Sequence, residues 1–338
     1  MKSLTFALPS KGAIAEPTYS FLREAGLKIH KPNPRQYTGS IPAVPAIDLL
    51  FQRVKDIVYK VTDGTAQLGI TGYDVVCENP SPDLMVIHPE LGYGHCRLVV
   101  AVPESWVDVQ NMTDFAEVAL DFREKKGRNM RVATTYDYQS RKFLHQQHIH
   151  HFTLVRAEGA IEAAPTIGYA DCVIDLTQTG TTLRENHLKE IQGGTIVESQ
   201  ACLIAHKPSI ISNPDYQEIV RTICEYIDAT HQGRQYEQVT VNIQGDNAEE
   251  IAKKVSQNPL TRGLTGPTIA PIFSGDIASE ENGKWFTVSI IVRNRKLLEV
   301  VDYLRSIGGS QVMVSPIQYV FMDQSATYQN FLVKLNNS

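Results

Sequence analysis

Two rhythms of apolar and polar positions run along this chain, and the change between them divides it. Up to about residue 205, short apolar runs end in glycine or polar turns that lead into segments with helical spacing. The runs at 4–8, 68–72, 99–102, 131–134, 155–157, 170–176 and 201–205 read as buried strands. Between them, Glu16 and Pro17 open a helix that ends near Gly26. Val54, Ile57, Val58 and Val61 recur at i, i+3, i+4 and i+7, so a helix runs from Arg53 to Gly64. Further helices are expected at 140–148 and 161–168, and another from Thr182 to about Leu188. Thr182 and Glu185 have the spacing of a capping box. The theme of strand, turn and helix implies two α/β lobes with ligand at the C-terminal ends of the strands. The run at 201–205 crosses back to the first lobe, and 216–233 is a connecting helix.

The last hundred residues change pattern. Val239, Val241 and Ile243 alternate with polar residues, as on a strand with one buried face. Asn247 and Glu250 read as an N-cap and its partner. The stretch 264–274, with Gly266, Pro267, Thr268 and Pro271, turns into a strand, and 285–292 is a long strand. Asn294 is expected to cap a helix that buries Leu297, Leu298, Val301 and Leu304 and stops at Gly308. A strand over 312–321 closes the set. The order βαββαβ is ferredoxin-like.

At 338 residues the chain has room for two or three domains. The net charge of −5 disfavours a nucleic-acid partner, so anionic ligands must be met by local cations. The five cysteines lie apart and form no Cys-x-x-Cys pair, which fits reduced thiols in a cytoplasm. No run is long enough to span a bilayer, and no apolar leader follows Lys2.

Candidate chemistry concentrates at the strand exits. After the run at 170–176 comes Thr177-Gln178-Thr179-Gly180-Thr181-Thr182, and then a helix start. Free backbone N–H groups, the helix dipole and four hydroxyls would suit a phosphate there. Asp175, at the strand's exit, is placed to accept from sugar hydroxyls, so a ribose phosphate fits better than a bare phosphate. An ordinary capped helix after a strand would look the same. The loop is neither a Walker A sequence nor a Gly-x-Gly-x-x-Gly turn. Lys11 sits between the first strand and the first helix, where open α/β sheets bind ligands; a solvated lysine is the plain alternative. Arg53 and Lys55 stand at a helix N-terminus, where cations oppose the dipole by up to about 1 kcal/mol unless an anion lies there. His145, His148, His150 and His151 have no acid or cysteine among them and read as a solvated helix end rather than a metal site. His95 and Cys96 alone make a weak metal pair, and 92–97 reads as a hinge.

Together these motifs resemble ATP phosphoribosyltransferase, the first enzyme of histidine biosynthesis, in its long form. Asp175, Thr179, Gly180, Thr182 and Leu183 match the family's Asp-(Leu/Val)-x-x-(Thr/Ser)-Gly-x-Thr-Leu loop. Glu158-Gly159-Ala160-Ile161-Glu162, Gly69-Ile70-Thr71-Gly72-Tyr73-Asp74, Pro9-Ser10-Lys11-Gly12 and Thr134-Thr135-Tyr136 match other motifs. Arg53 to Ile57 follows the pattern Arg-x-x-Asp-Ile, with Val58 where proline is usual and Lys55 as in the long-form branch. The C-terminal hundred residues resemble the ACT-like domain of that form, including 304–309 and 314–317.

The resemblance implies a fold of two periplasmic-binding-protein-like α/β lobes followed by a ferredoxin-like (ACT-like) regulatory domain. Residues 1–100 plus 200–234 would form lobe I and the connecting helix, 101–199 lobe II, and 235–338 the regulatory domain. It implies the transfer of the phosphoribosyl group of phosphoribosyl pyrophosphate to N1 of ATP, with Mg²⁺. Lys11, Arg53 and Lys55 would be the catalytic cations. Glu158, Gly159, Asp175, Leu176, Thr177, Gln178, Thr179, Gly180, Thr181 and Thr182 would hold phosphoribosyl pyrophosphate, with Gly159 allowing close backbone approach to its pyrophosphate. Asp74 would meet the adenine, although a helix cap is its plainer reading, and Tyr136 would lie against the purine ring. Histidine would inhibit by binding near Asn242 and Thr268 in a homo-oligomer, dimer to hexamer. A two-lobed, non-catalytic ligand-binding protein is the rival reading.

Overall fold

Strands β1 (Leu4–Pro9), β3 (Ile47–Gln52) and β4 (Leu68–Gly72) lie side by side and parallel at the centre of the first sheet. The computed structural model describes residues 3–33, 35–157, 159–264, 266–273 and 284–336. The chain divides into two compact units, Met1–Arg23 with Lys28–Ile219 and Leu335–Ser338, and Glu24–Leu27 with Val220–Lys334.

In the first unit the first sheet has the order β2-β3-β1-β4-β11-β5, with β2 (Thr38–Ser40), β5 (Leu84–His88) and β11 (Ala201–His206). As expected, β11 crosses back and pairs antiparallel with both β4 and β5. Helices α1 (Ala15–Glu24), α2 (Val54–Thr62) and α3 (Tyr73–Glu78) each follow a parallel strand. The apolar stripe of α2 buries Ile57, Val58 and Val61, each contributing about 1.5–3 kcal/mol. Gly69 is what lets α2 lie so close. A Cβ there would stand 2.7 Å from the Ile57 side chain and 2.9 Å from that of Val61.

The second sheet has the order β10-β6-β9-β7-β8. Its members are β6 (Cys96–Pro103), β7 (Met130–Thr134), β8 (Phe152–Arg156), β9 (Cys172–Thr177) and β10 (Leu188–Ser199). Strands β8, β7 and β9 are parallel, and β6 runs against β9. The helices are α4 (Met112–Lys126), α5 (Asp137–Gln146), α6 (Ala164–Ile167) and α7 (Thr181–Glu185). Helix α4, which the apolar pattern did not announce, is fixed at its start by a reciprocal Asn111–Asp114 capping box. The entry to β9 is tied to β7 by the Asp171 carboxylate. It accepts from Arg128 Nη1 and Nη2 at 2.6 and 2.9 Å, and from the Arg131 N–H at 2.8 Å. Burial alone would raise the carboxyl of Asp171, but these cations overcome it and hold it well below the usual carboxylate range.

Helices α8 (Lys207–Ser212) and α9 (Pro214–Gly233) follow, and the boundary between the units falls inside α9. The second unit then runs β12 (Tyr236–Gly245), α10 (Ala248–Gln257), β13 (Thr268–Pro271), β14 (Lys284–Arg293), α11 (Leu297–Ser306), β15 (Gly309–Pro316) and, as far as Lys334, α12 (Ala326–Asn336). Its sheet is antiparallel, in the order β13-β14-β12-β15. That is the ferredoxin-like arrangement the βαββαβ pattern predicts. Val239, Val241 and Ile243 pack with Val288, Ile290, Ile251, Val255, Val300 and Leu304. Asn247 caps α10 by accepting from the Glu250 N–H at 2.9 Å, also as expected.

Three expectations fail in this unit, and the first is the closing strand, which runs Gly309–Pro316 and ends at Pro316 rather than at Phe321. Asn294 does not cap α11 but opens a 3₁₀ turn, and its side chain donates to the Arg234 carbonyl at 2.8 Å. Leu298 points outward and Val300 takes its place inside. The 3₁₀ turn rotates the start of the helix, so the stripe falls on Val300, Val301 and Leu304. Helix α12, beyond the last strand, was not anticipated.

Candidate active site at the strand ends

Each sequence-predicted residue of the first lobe follows the C-terminal end of a central parallel strand. Lys11 lies in the exposed turn after β1. Arg53 is the residue before α2, directly after β3, and Lys55 is in the first turn of α2; both are exposed. The Ser10 N–H donates to the Gln52 carbonyl at 2.7 Å, which holds the turns carrying Lys11 and Arg53 side by side. The Arg53 side chain makes no capping bond, and Asp56 in the same turn is the acid that offsets the two cations. Asp74 follows β4 as the second residue of α3. Gly72 is the residue that precedes that helix, so Asp74 is not its cap.

The second lobe repeats this placement. Tyr136 follows β7, Gly159 follows β8, and the hydroxyl loop follows β9. Glu158 lies outside the described residues. Gly159 and Ala160 are both left-handed, with φ of 76° and 43°. In the loop, Gly180 has φ of 72°, a conformation that costs glycine little. Its N–H donates to Thr177 Oγ1 at 2.9 Å, and the hydroxyls of Thr179 and Thr181 lie 2.9 Å apart. Gln178 and Thr179 are exposed, whereas Thr177 is buried and shapes the turn from within. The N–H of half-buried Leu176 donates to Asp175 Oδ1 at 2.8 Å. Burial pushes the Asp175 carboxyl up to about 6. The negative charge of Glu162 adds to the rise, and the charge of Lys55 opposes it.

The helix after this loop is shorter than its sequence suggested. It covers five residues, Gly180 is its N-cap, and no side chain caps it. Thr182 is therefore its second residue, and the Thr182–Glu185 spacing forms no capping box. Asn186 ends the helix, His187 takes a left-handed φ of 55°, and the chain enters β10. A helix this short adds little dipole to the loop.

The two sets of strand ends meet. Tyr136 Oη donates to Asp74 Oδ2 at 2.6 Å, and Ser199 Oγ donates to Asp74 Oδ1 at 2.7 Å. Asp74 and Tyr136 are 5% and 4% exposed, so this bond between lobes is shielded from water. Burial and the charge of Asp74 push the Tyr136 phenol above its ordinary range, so it remains a donor. Lys55 Nζ stands 5.7 Å from the centre of the Tyr136 ring. A second clasp lies alongside. Glu78, on α3, accepts from the N–H groups of Tyr138 and Gln139 at 2.9 and 3.0 Å, capping α5 from the other lobe. A cavity of about 450 Å³ opens beside the clasp, lined by Tyr73, Cys96, Arg97, Gln178 and Ser199 among others. Lys11 and Arg53 lie at this end of the first sheet, but neither touches the clasp.

This layout is shared with known proteins. The family described as HisG, ATP phosphoribosyltransferase, matches residues 53–229, and its C-terminal domain, HisG_C, matches 233–319. The chain belongs to the ATP phosphoribosyltransferase family. These are the enzymes of the first step of histidine biosynthesis, and the C-terminal domain marks the long form. ATP phosphoribosyltransferase 2, chloroplastic, of Arabidopsis thaliana is 37% identical over 99% of this chain and 81% of its own length. The ATP phosphoribosyltransferase of Nitrobacter winogradskyi is 30% identical over 98% of both chains. Among solved structures, the ATP phosphoribosyl transferase (HisG:HisZ) complex of Thermotoga maritima aligns with a TM-score of 0.52 at 22% identity. That alignment covers 66% of this chain and 95% of that one, and it speaks to the fold.

The family uses a divalent metal. Among the described residues no three His, Cys, Asp or Glu side chains group to hold one. His145 and His150 face each other at 3.2 Å on the exposed end of α5. No helix among the described residues is long and apolar enough to cross a membrane. Reading the sequence missed Ser199 and Glu78, the two residues that complete the clasp, and Arg184, which folds back over the loop.

Proposed function

We propose that this chain joins N1 of ATP to C1 of 5-phosphoribosyl 1-pyrophosphate, giving N1-(5-phosphoribosyl)-ATP and pyrophosphate, with Mg²⁺ arriving on the substrate phosphates. The observation that carries this reading is the convergence of Lys55 and Asp74, from one lobe, on Tyr136 and Asp175, from the other. Adenine N1 is an unprotonated lone pair at neutral pH, so the reaction needs no general base. The chain's task is to align two polyanions and stabilise the departing pyrophosphate.

In this reading Lys11, Arg53 and Lys55 are the cations for the pyrophosphate. Thr177 to Thr182 cradle the 5′-phosphate, Asp175 accepts from the ribose hydroxyls, and Gly159, next to Glu158, admits the pyrophosphate to the backbone. Asp74 takes the adenine amine and Tyr136 flanks the ring. Residues 1–100 with 200–234 and residues 101–199 are the catalytic lobes, and 235–338 senses histidine. Asn242 pairs with Thr287 on β14, which also pairs with Ala270, two residues from Thr268. This register puts Asn242 and Thr268 on the polar face of one sheet, away from the core. A histidine pocket there needs a further wall, which a neighbouring subunit of a homo-oligomer would provide. The five cysteines are unpaired, in keeping with a cytoplasmic enzyme.

Mixing ATP, phosphoribosyl pyrophosphate and Mg²⁺ with the protein should raise the near-ultraviolet absorbance of N1-substituted adenine and release pyrophosphate. A protein that binds both and turns over neither would be the rival ligand-binding module. Histidine titrated into the same assay should inhibit, and its binding heat should fall in Asn242→Ala.

The cations carry their own expectation. Arg53→Ala and Lys55→Ala should each lower kcat/KM by about 10- to 100-fold through lost charge on the leaving group. Melting temperature should hold or rise slightly, because each cation opposes the start of α2 by up to about 1 kcal/mol. A large fall in melting temperature with normal kinetics would make them structural.

A further inference from the structure

We infer that Arg184 is the cation of the phosphate loop, holding the loop in shape in the free protein and meeting the 5′-phosphate dianion in the complex. The inference rests on the loop being the ribose-phosphate site. A phosphate dianion seated there meets Asp175 nearby, and the five-residue α7 adds little dipole to offset the two charges. Hydroxyls and backbone N–H groups orient a phosphate but carry no net charge. From Asp175 to Leu188 the chain has one lysine or arginine, and it is Arg184.

Its guanidinium is already at the loop. Nη1 donates to the Thr179 carbonyl and Nη2 to Thr181 Oγ1, both at 3.3 Å. A Cβ on Gly180 would stand 3.0 Å from Arg184 Nη1, so the group lies directly against the turn. The nearest acid on the far side is Glu190, 3.2 Å from the same Cβ position. Glu190 is engaged by Arg97, at 2.9 Å to Oε2 and 3.2 Å to Oε1. Among the described residues Arg184 has no carboxylate partner. Its two loop bonds are long and to neutral acceptors, which a phosphate oxygen would outcompete because it adds a full opposite charge to a shorter bond. A planar fork that spans Thr179 and Thr181 also matches two oxygens of one phosphate.

The test compares Arg184→Ala, Arg184→Gln and Arg184→Lys in the full chain. Ribose 5-phosphate binding is measured by calorimetry, and KM and kcat by steady-state kinetics. Glutamine keeps a donor for Thr179 and Thr181 but drops the charge. Loss of a charge-assisted contact predicts a Kd for ribose 5-phosphate raised about tenfold or more in the alanine and glutamine variants. Lysine should recover part of it. KM for phosphoribosyl pyrophosphate should rise in parallel, the salt dependence of ribose 5-phosphate binding should flatten, and kcat and ATP affinity should stay near wild type. If glutamine binds like wild type, the charge is not used and the inference fails. If all three variants lose melting temperature and both substrates alike, Arg184 is only a structural brace and the inference also fails. If wild type itself does not bind ribose 5-phosphate, the loop assignment falls first and takes this inference with it.

Discussion

Asp175→Asn is expected to make the second lobe more stable and to reduce kcat/KM for phosphoribosyl pyrophosphate by about 100-fold or more. Both effects have one cause. Burial lifts the Asp175 carboxyl to about 6, from a reference of 3.8. Keeping the buried group charged above pH 6 therefore costs at most about 3 kcal/mol. Between the two values the folded chain binds the proton that the unfolded chain has released. Stability contributed by this group is therefore highest below the reference value, falls as pH rises through the window, and stays low above about 6. Asparagine removes the penalty and should return on the order of 2 kcal/mol at pH 8 but little at pH 4. In the role proposed for Asp175 the lost charge also weakens substrate binding, because hydrogen bonds from two ribose hydroxyls to a carboxylate are worth about 1.5–3 kcal/mol each. Wild-type kcat/KM for this substrate should rise with pH through about 6 as Asp175 ionises, and the rise should vanish in the variant. Denaturant melts at the two pH values, with the pH profile beside them, check both halves. A profile unchanged by Asp175→Asn would remove Asp175 from the ribose site.

How much of the chain could be read early depends on whether a signal is complete within a few residues. Strands buried on both faces, such as β4 and the apolar part of β9, are continuous apolar runs and stand out without a partner. Asn247 could be placed because a cap is satisfied three residues away. The turn after β9 was legible because hydroxyls and a glycine are needed in sequence. β10 was not legible. Its burial follows no period of two, since its register against β6 shifts between Glu190 and Thr195 and again between Thr195 and Val197. The same local reasoning overextended α7, because Thr182 and Glu185 have the spacing of a cap but Gly180 holds that position. Ser199 and Glu78 carry no local signal at all. Ser199 meets Asp74 across 125 residues of sequence, and Glu78 meets Gln139 across 61. Such pairs arise only once the crossing strands have brought the lobes together.

The clasp these residues build gives the second large expectation, and it is asymmetric. Asp74→Ala should cost about 2–5 kcal/mol and lower kcat/KM for ATP by about 100-fold or more, because the hydroxyls of Tyr136 and Ser199 are left buried without their acceptor. Tyr136→Phe removes the donor instead. Asp74 keeps its bond from Ser199 at 2.7 Å, the ring remains, and the stability cost should be about 1–2 kcal/mol. ATP binding should then hold or tighten. In its proposed role Asp74 would share its carboxylate between Tyr136 and the adenine amine, so an amine that takes the Oδ2 position first has to displace the 2.6 Å bond. Phenylalanine removes that step, and a site that no longer has to open binds with a smaller conformational penalty. The comparison needs calorimetry of ATP alone with wild type and both variants, and a melting curve for each. Equal loss of ATP affinity in the two variants would mean that the Tyr136 hydroxyl contacts the nucleotide directly. In that case the bond between Asp74 and Tyr136 is not a latch that ATP opens but part of the adenine site itself.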